Sequence, residues 1–200
     1  MSKALLQKSV SVAEYLALEE RSKLRHEYCD GEVLLMAGAS RRHSRIASNI
    51  GGELFGQLRK KTCEVHYGDL RLRVRKTHYV YGDVSIFCGE PELEVYKDTE
   101  TLLNPKVVFE VLSKSTEARD RGDKAEDYRQ LASLSDYLFV SQNKMLVEHY
   151  SRQKDESWKL IEYRDPNAKV KLISIGCELN LSDIYAGIKL PQLQLVKKNK

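Results

Sequence analysis

The chain has 200 residues, 42% hydrophobic and 31% charged, enough for a sizeable core under a charged surface, which excludes disordered, collagenous and disulfide-scaffold classes. Its 33 basic and 29 acidic residues leave a net charge of +4, which permits a nucleic-acid partner without demanding one. No apolar run approaches the ~18 residues of a membrane span, and the opening Met1-Ser-Lys-Ala-Leu-Leu-Gln-Lys8 breaks its apolar stretch too early for a signal peptide.

Ser11, with Glu14 three residues later, forms a capping-box pattern that opens a short helix. Asp30-Gly31 is a turn signal, and Glu32 to Ala37 reads as a strand after it. Ser40 opens a long helix to about Lys61, with Ile46, Ala47, Ile50, Leu54 and Leu58 as its buried stripe. Gly51, Gly52 and Gly56 weaken that helix but suit close packing against a sheet. Leu70 to Arg75 alternates, with Leu70, Leu72 and Val74 on one face and Arg71, Arg73 and Arg75 on the other. Tyr79 to Phe87 is the next predicted strand, and Val107 to Leu112 has the near-continuous apolar character of a central, doubly covered one. A helix follows over about Arg119 to Leu134. Strands are then expected at 136–140, 145–151, 158–164 and 170–173, and a last short helix at 181–186. This order indicates an α/β or α+β sheet flanked by helices, as one domain over residues 1–190 with a flexible tail over 191–200. The cysteines Cys29, Cys63, Cys88 and Cys177 form no CxxC pair, so four reduced thiols in a cytoplasmic chain are expected.

Glu110 carries the most information. It sits at the centre of an apolar strand, where an unpaired carboxylate costs several kcal/mol, so it needs a metal ion or a basic side chain. Asp83 repeats the pattern inside the run Tyr81 to Ile86. Two carboxylates on neighbouring strands suit a hard divalent cation such as Mg²⁺, while an arginine partner or a strand-end position would make either acid structural. Two lysines lie near: Lys114 at the strand exit, and Lys124, which shares a helical stripe with Tyr128 and Leu131 and so faces the sheet. His43, three residues before Ile46, falls on the apolar stripe of the long helix and lines the site or sits in the core. Cys63-Glu-Val-His66 has ligand types at Cys-x-x-His spacing but lacks the second pair a zinc site needs.

Several segments together resemble the Uma2 family, restriction-endonuclease-like proteins of the PD-(D/E)xK nuclease superfamily. They are Tyr28-Cys-Asp-Gly-Glu-Val-Leu-Leu-Met-Ala-Gly-Ala-Ser40, His43, Tyr81-Gly-Asp-Val84, Phe109-Glu-Val-Leu-Ser-Lys-Ser-Thr-Glu117 and Asp120-Arg-Gly-Asp-Lys-Ala-Glu-Asp-Tyr128. The likeness covers most of the chain, and the run from Glu110 to Tyr128 is its most specific part. It implies a restriction-endonuclease-like core, a central mixed sheet flanked by helices, and a DNA endonuclease hydrolysing phosphodiester bonds with Mg²⁺, for which Mn²⁺ can substitute. Asp83 and Glu110 would be the metal carboxylates, aided by the Val111 carbonyl, and Lys124 the catalytic lysine, moved from strand to helix. Two positions depart from the family pattern: Gly82 and Lys114 stand where proline is usual, which argues against Lys114 as the catalytic lysine. Arg71, Arg73 and Arg75, with Arg41, Arg42 and Arg45, are candidate phosphate contacts, the alternative being a solvated face. Cutting both strands of a duplex favours a homodimer. A non-catalytic nucleic-acid-binding or assembly protein that kept the fold is the competing function.

Overall fold

The computed structural model of the chain describes residues 9–36, 38–113 and 117–191. Local signals place the first elements. Ser11 and Glu14 close the expected capping box at the start of α1 (Val12–Arg21), the Ser11 amide donating to Glu14 Oε2 at 2.8 Å. A turn at Asp30-Gly31 joins β1 (His26–Cys29) to β2 (Glu32–Leu35). Ser40 caps α2 (Arg41–Leu58) by accepting from the His43 amide at 3.1 Å. The stripe of α2 is buried as expected, and its Gly51 is required by packing. A Cβ there would lie 2.3 Å from the Tyr67 ring, so only glycine lets that ring press on the helix.

Beyond α2 the chain builds β3 (Cys63–Tyr67), β4 (Arg71–Arg75), β5 (His78–Tyr81), β6 (Val84–Cys88), β7 (Leu93–Tyr96), β8 (Thr99–Leu102) and β9 (Val107–Leu112). The helical region is α3 (Glu117–Arg121) and α4 (Asp123–Gln130), broken at Gly122 and ended where Leu131 turns extended. It is shorter than the expected helix to Leu134. Then follow β10 (Asp136–Ser141), β11 (Val147–Arg152), β12 (Trp158–Tyr163), β13 (Lys169–Leu172), β14 (Cys177–Asn180) and α5 (Leu181–Ile184).

The strands form two six-stranded mixed sheets rather than one. Sheet A has the order β2-β1-β5-β4-β8-β7 and sheet B the order β12-β11-β10-β9-β6-β3, while β13 and β14 make a separate hairpin. Each large sheet contains one parallel pair, β4 with β8 and β9 with β10. One face of sheet B packs under α2, α5 and the β13–β14 hairpin through Ile50, Leu54, Phe109, Leu138 and Leu181. Its other face meets sheet A and α4 through Val108, Leu112, Leu72, Val80, Tyr128 and Tyr137. The expected α+β class stands, and burial of β9 on both faces follows from this layering.

Three further expectations need correction. The strand predicted over Tyr79 to Phe87 is two strands in different sheets, β5 in A and β6 in B, with Gly82 and Asp83 at the crossing. The apolar pattern runs through both, so it hides the switch. The arginines of β4 do not form an open row: each is tied to partners within the protein, although Arg75 stays exposed. Arg71 is buried, donating to Thr101 Oγ1 at 2.7 Å and lying over the Tyr15 and Tyr79 rings. Arg73 is paired with Glu94 at 2.9 Å, and Arg75 with Asp127 at 2.9 Å and Asp30 at 2.5 Å. Finally, Cys63 and Cys88 stand opposite each other in the β3–β6 register and are joined by a disulfide, so only Cys29 and Cys177 are free thiols among the described residues. That bond also removes Cys63 from any Cys-x-x-His ligand pair. The expected flexible tail, beyond Pro191, lies outside the described residues.

Candidate active site

Register brings the two acids together. The β6–β9 ladder ends with Val84 opposite Phe109, so the next step outward sets Asp83 against Glu110. Asp83 is at the chain crossing, a strand-end position, not inside a strand as the sequence suggested. Its Oδ2 accepts from the Val111 amide at 2.6 Å and lies 3.1 Å from His43 Nε2 in the first turn of α2. These contacts fix the carboxylate at the lip of the site, where its side chain keeps 21% of its exposure. Gly82 permits the crossing: a Cβ there would meet Val108 Cγ1 at 2.9 Å.

Glu110 points from β9 toward α4, on the same face as Val108 and Leu112. It is buried, and its Oε1 lies 2.8 Å from Lys124 Nζ with no well-directed hydrogen bond. Burial pushes its pKa well above the usual carboxylate range, and the nearby Asp120 and Asp83 charges add to that rise against the pull of Lys124. Lys124, on α4, is also buried. Burial alone would lower its pKa, but the charges of Glu110, Glu27 and Asp120 raise it well above the ordinary lysine value. Its Nζ donates to the Tyr81 carbonyl at 3.3 Å and sits 3.0 Å from Glu27 Oε1 and 3.6 Å from Asp120 Oδ1.

Glu27 was not singled out from the sequence. It comes from β1, a four-residue strand too short to show a pattern, and it is buried. Arg119 Nη1 lies 2.5 Å from its Oε2, and the Tyr81 amide donates to its Oε1 at 3.2 Å. Burial would raise its pKa, yet Lys124 and Arg119 hold the carboxyl below its usual range. Asp120 was recognisable, being four residues before Lys124 on the expected helix.

His43 lines the site as one of the sequence alternatives has it. Burial opposes its protonation, but Asp83 beside it carries its pKa above the ordinary histidine value. Tyr128 is fully buried, its ring tilted against that of Tyr137 with centroids 4.7 Å apart, so it packs behind the cluster rather than lining an open site. Lys114 lies outside the described residues. A cleft of about 470 Å³ leads to Asp83, walled by Ala39, His43, Ser44 and Ala47 on one side and by Tyr67 and Gly68 on the other.

The oxygen donors that the register brings together are the Asp83 and Glu110 carboxylates, while the Val111 amide donates to Asp83. Among the described residues no group of three or more His, Cys, Asp or Glu side chains is placed to hold a metal ion, so this is no zinc-type cage. Two carboxylates would suit a hard cation such as Mg²⁺, which keeps several waters and needs few protein ligands. The under-served Oε1 of Glu110 points the same way.

A family model for Uma2, described as "Putative restriction endonuclease", matches residues 12–182. The chain belongs to the Uma2 family. Two Synechocystis proteins described as uncharacterized are similar to it. One is 35% identical over 180 residues, covering 90% of this chain and 93% of its own, and the other is 32% identical over 165 residues, covering 82% and 93%. A crystal structure of a putative nuclease belonging to DUF820 from Anabaena variabilis superposes with a TM-score of 0.66, covering 88% of this Uma2 chain and 97% of that one. At 18% identity that likeness speaks for the fold alone. Membership places this Uma2 chain among nuclease-like proteins. No helix among the described residues is long and apolar enough to cross a membrane.

Proposed function

We propose that this Uma2 protein is a metal-dependent DNA endonuclease that hydrolyses phosphodiester bonds at the Asp83–Glu110–Lys124 cluster. The observation that carries the reading is Glu110, a buried carboxylate at the centre of β9 whose neighbours are Lys124 and the Asp83 lip. Asp83, Glu110 and the Val111 carbonyl would hold Mg²⁺ or Mn²⁺. Bound there, such an ion supplies Lewis acidity toward a phosphodiester oxygen and lowers the pKa of a coordinated water.

The chain's own groups do the rest. His43 and the Val111 amide hold Asp83 Oδ2 and so set the rotation of its carboxylate. Lys124 keeps a positive charge beside Glu110, behind the Asp83 lip of the cleft, where it would stabilise negative charge developing on a phosphate held at Asp83. The backbone of the nucleic acid would lie along the start of α2. That first turn holds Arg41 and Arg42 and no acid, with Arg45 following, although the positive pole of a helix favours carboxylates there. Arg42 already donates to the Gln142 carbonyl at 3.0 Å, which leaves Arg41 and Arg45 as the first candidates for phosphate contacts in place of the internally paired Arg71, Arg73 and Arg75.

Nicking of supercoiled plasmid tests the reading. It should occur with Mg²⁺ or Mn²⁺, stop with a chelator, and be absent from Asp83→Ala. Plasmid binding with no nicking under any divalent ion would favour the non-catalytic binding protein instead.

A further inference from the structure

One buried ammonium, Lys124, is shared by carboxylates from two sheets. Glu27 reaches it from β1 in sheet A, and Glu110 reaches it from β9 in sheet B. The two acids are anchored very differently. Both oxygens of Glu27 are occupied, Oε2 by Arg119 and Oε1 by the Tyr81 amide as well as by Lys124. Glu110 Oε1 has the lysine beside it and no directed hydrogen bond. Tyr81 adds a second tie, since its amide serves Glu27 while its carbonyl accepts from Lys124. Glu27, Tyr81 and Lys124 therefore close a ring of contacts that does not involve Glu110. The same Tyr81 leads directly through Gly82 into Asp83.

We propose that Glu27 is a positioning residue that holds the Lys124 ammonium over the site independently of Glu110, leaving Glu110 free to turn toward a divalent cation. This rests on the nuclease reading above. Without such a second anchor, a cation that drew Glu110 away would leave the buried lysine charge with only the Tyr81 carbonyl at 3.3 Å and Asp120 at 3.6 Å. With it, the lysine stays beside the phosphate whichever way Glu110 turns.

The test follows the ammonium itself in protein labelled with ¹⁵N-lysine. A buried, hydrogen-bonded ammonium exchanges its protons slowly and stands apart from surface lysines, and the Lys124 signal is identified by its absence in K124R. The expected result is a Lys124 signal in the wild-type chain and in E110Q, and its loss in E27Q. Single-turnover cleavage of a short duplex with Mn²⁺ should slow by roughly 10²-fold in E27Q, the scale of losing one electrostatic stabiliser, with little change in KM. E27D, which keeps the charge on a shorter arm, should recover part of the rate. Loss of the signal in E110Q, or its persistence in E27Q, would assign the lysine to Glu110 and overturn the proposal. A wild-type chain that gives the expected spectra but cuts no DNA would overturn the nuclease reading alone and leave the hold of Glu27 on Lys124 standing.

Discussion

Strands β4 and β9 both carry charge, β9 with the buried Glu110 and β4 with Arg71 buried, Arg73 half-buried and Arg75 exposed, and they dispose of it in opposite ways. On β4 each arginine is met by a dedicated partner: Arg71 by threonine hydroxyls and two tyrosine rings, Arg73 by Glu94, Arg75 by Asp30 and Asp127. Those charges tie elements together and leave nothing over. On β9 the single Glu110 enters a crowd of like charge, with Glu27, Asp120 and Asp83 nearby and Lys124 in the middle. A buried charge that is fully answered is architecture. One that is left under-answered next to a cleft is a candidate for chemistry.

Removing the shared cation should produce the largest contrast. Lys124→Ala leaves Glu27, Glu110 and Asp120 without their common partner, so it should cost about 3–5 kcal/mol in urea unfolding. Arg73→Ala breaks only a part-exposed pair with Glu94 and should cost about 1 kcal/mol or less. Equal losses would mean that the two regions do not differ as described. Arg71→Met should fall between, at about 1–3 kcal/mol for the stranded threonine hydroxyls, without changing DNA cleavage.

Salt dependence separates the arginines by role. Changing Arg41, Arg42 and Arg45 to glutamine should flatten the slope of log affinity against log salt by about 0.9 for each DNA phosphate these side chains neutralise. The same changes at Arg73 and Arg75 should leave the slope as it was. The reverse pattern would return the phosphate-binding role to β4.

The smallest expected effect is on acid stability. Glu27 has a folded pKa below its unfolded one, so its contribution is present above the ordinary glutamate value of about 4.3 and is lost as pH falls through the lowered folded value. Glu27→Gln should therefore flatten the acid limb of the stability curve below about pH 4.3, measured by urea midpoints across pH. An unchanged acid limb would mean that Glu27 is not held ionised by Lys124 and Arg119.

What could be read from sequence was local. The Ser11–Glu14 box and the Ser40 cap are decided within four residues, and the capping contacts formed as expected. The apolar run around Glu110 and the stripe joining Lys124 to Tyr128 pointed to the interior, where both charged groups lie. What stayed hidden was set by pairing at a distance. Nothing near Gly82 marks the passage from sheet A to sheet B. Arg71 finds Thr101 far along the chain because β4 pairs with β8, and Cys63 finds Cys88 because β3 pairs with β6. Glu27 was missed for the same reason: its meaning comes from Lys124 and Arg119, on helices remote in sequence.

The central claim is that Asp83 and Glu110 form one cation site, and calorimetric titration with Mn²⁺ tests it most directly. The wild-type chain should bind Mn²⁺, and Asp83→Ala and Glu110→Ala should each abolish that binding while Arg73→Gln leaves it intact. Unchanged Mn²⁺ affinity in both alanine variants would contradict the account.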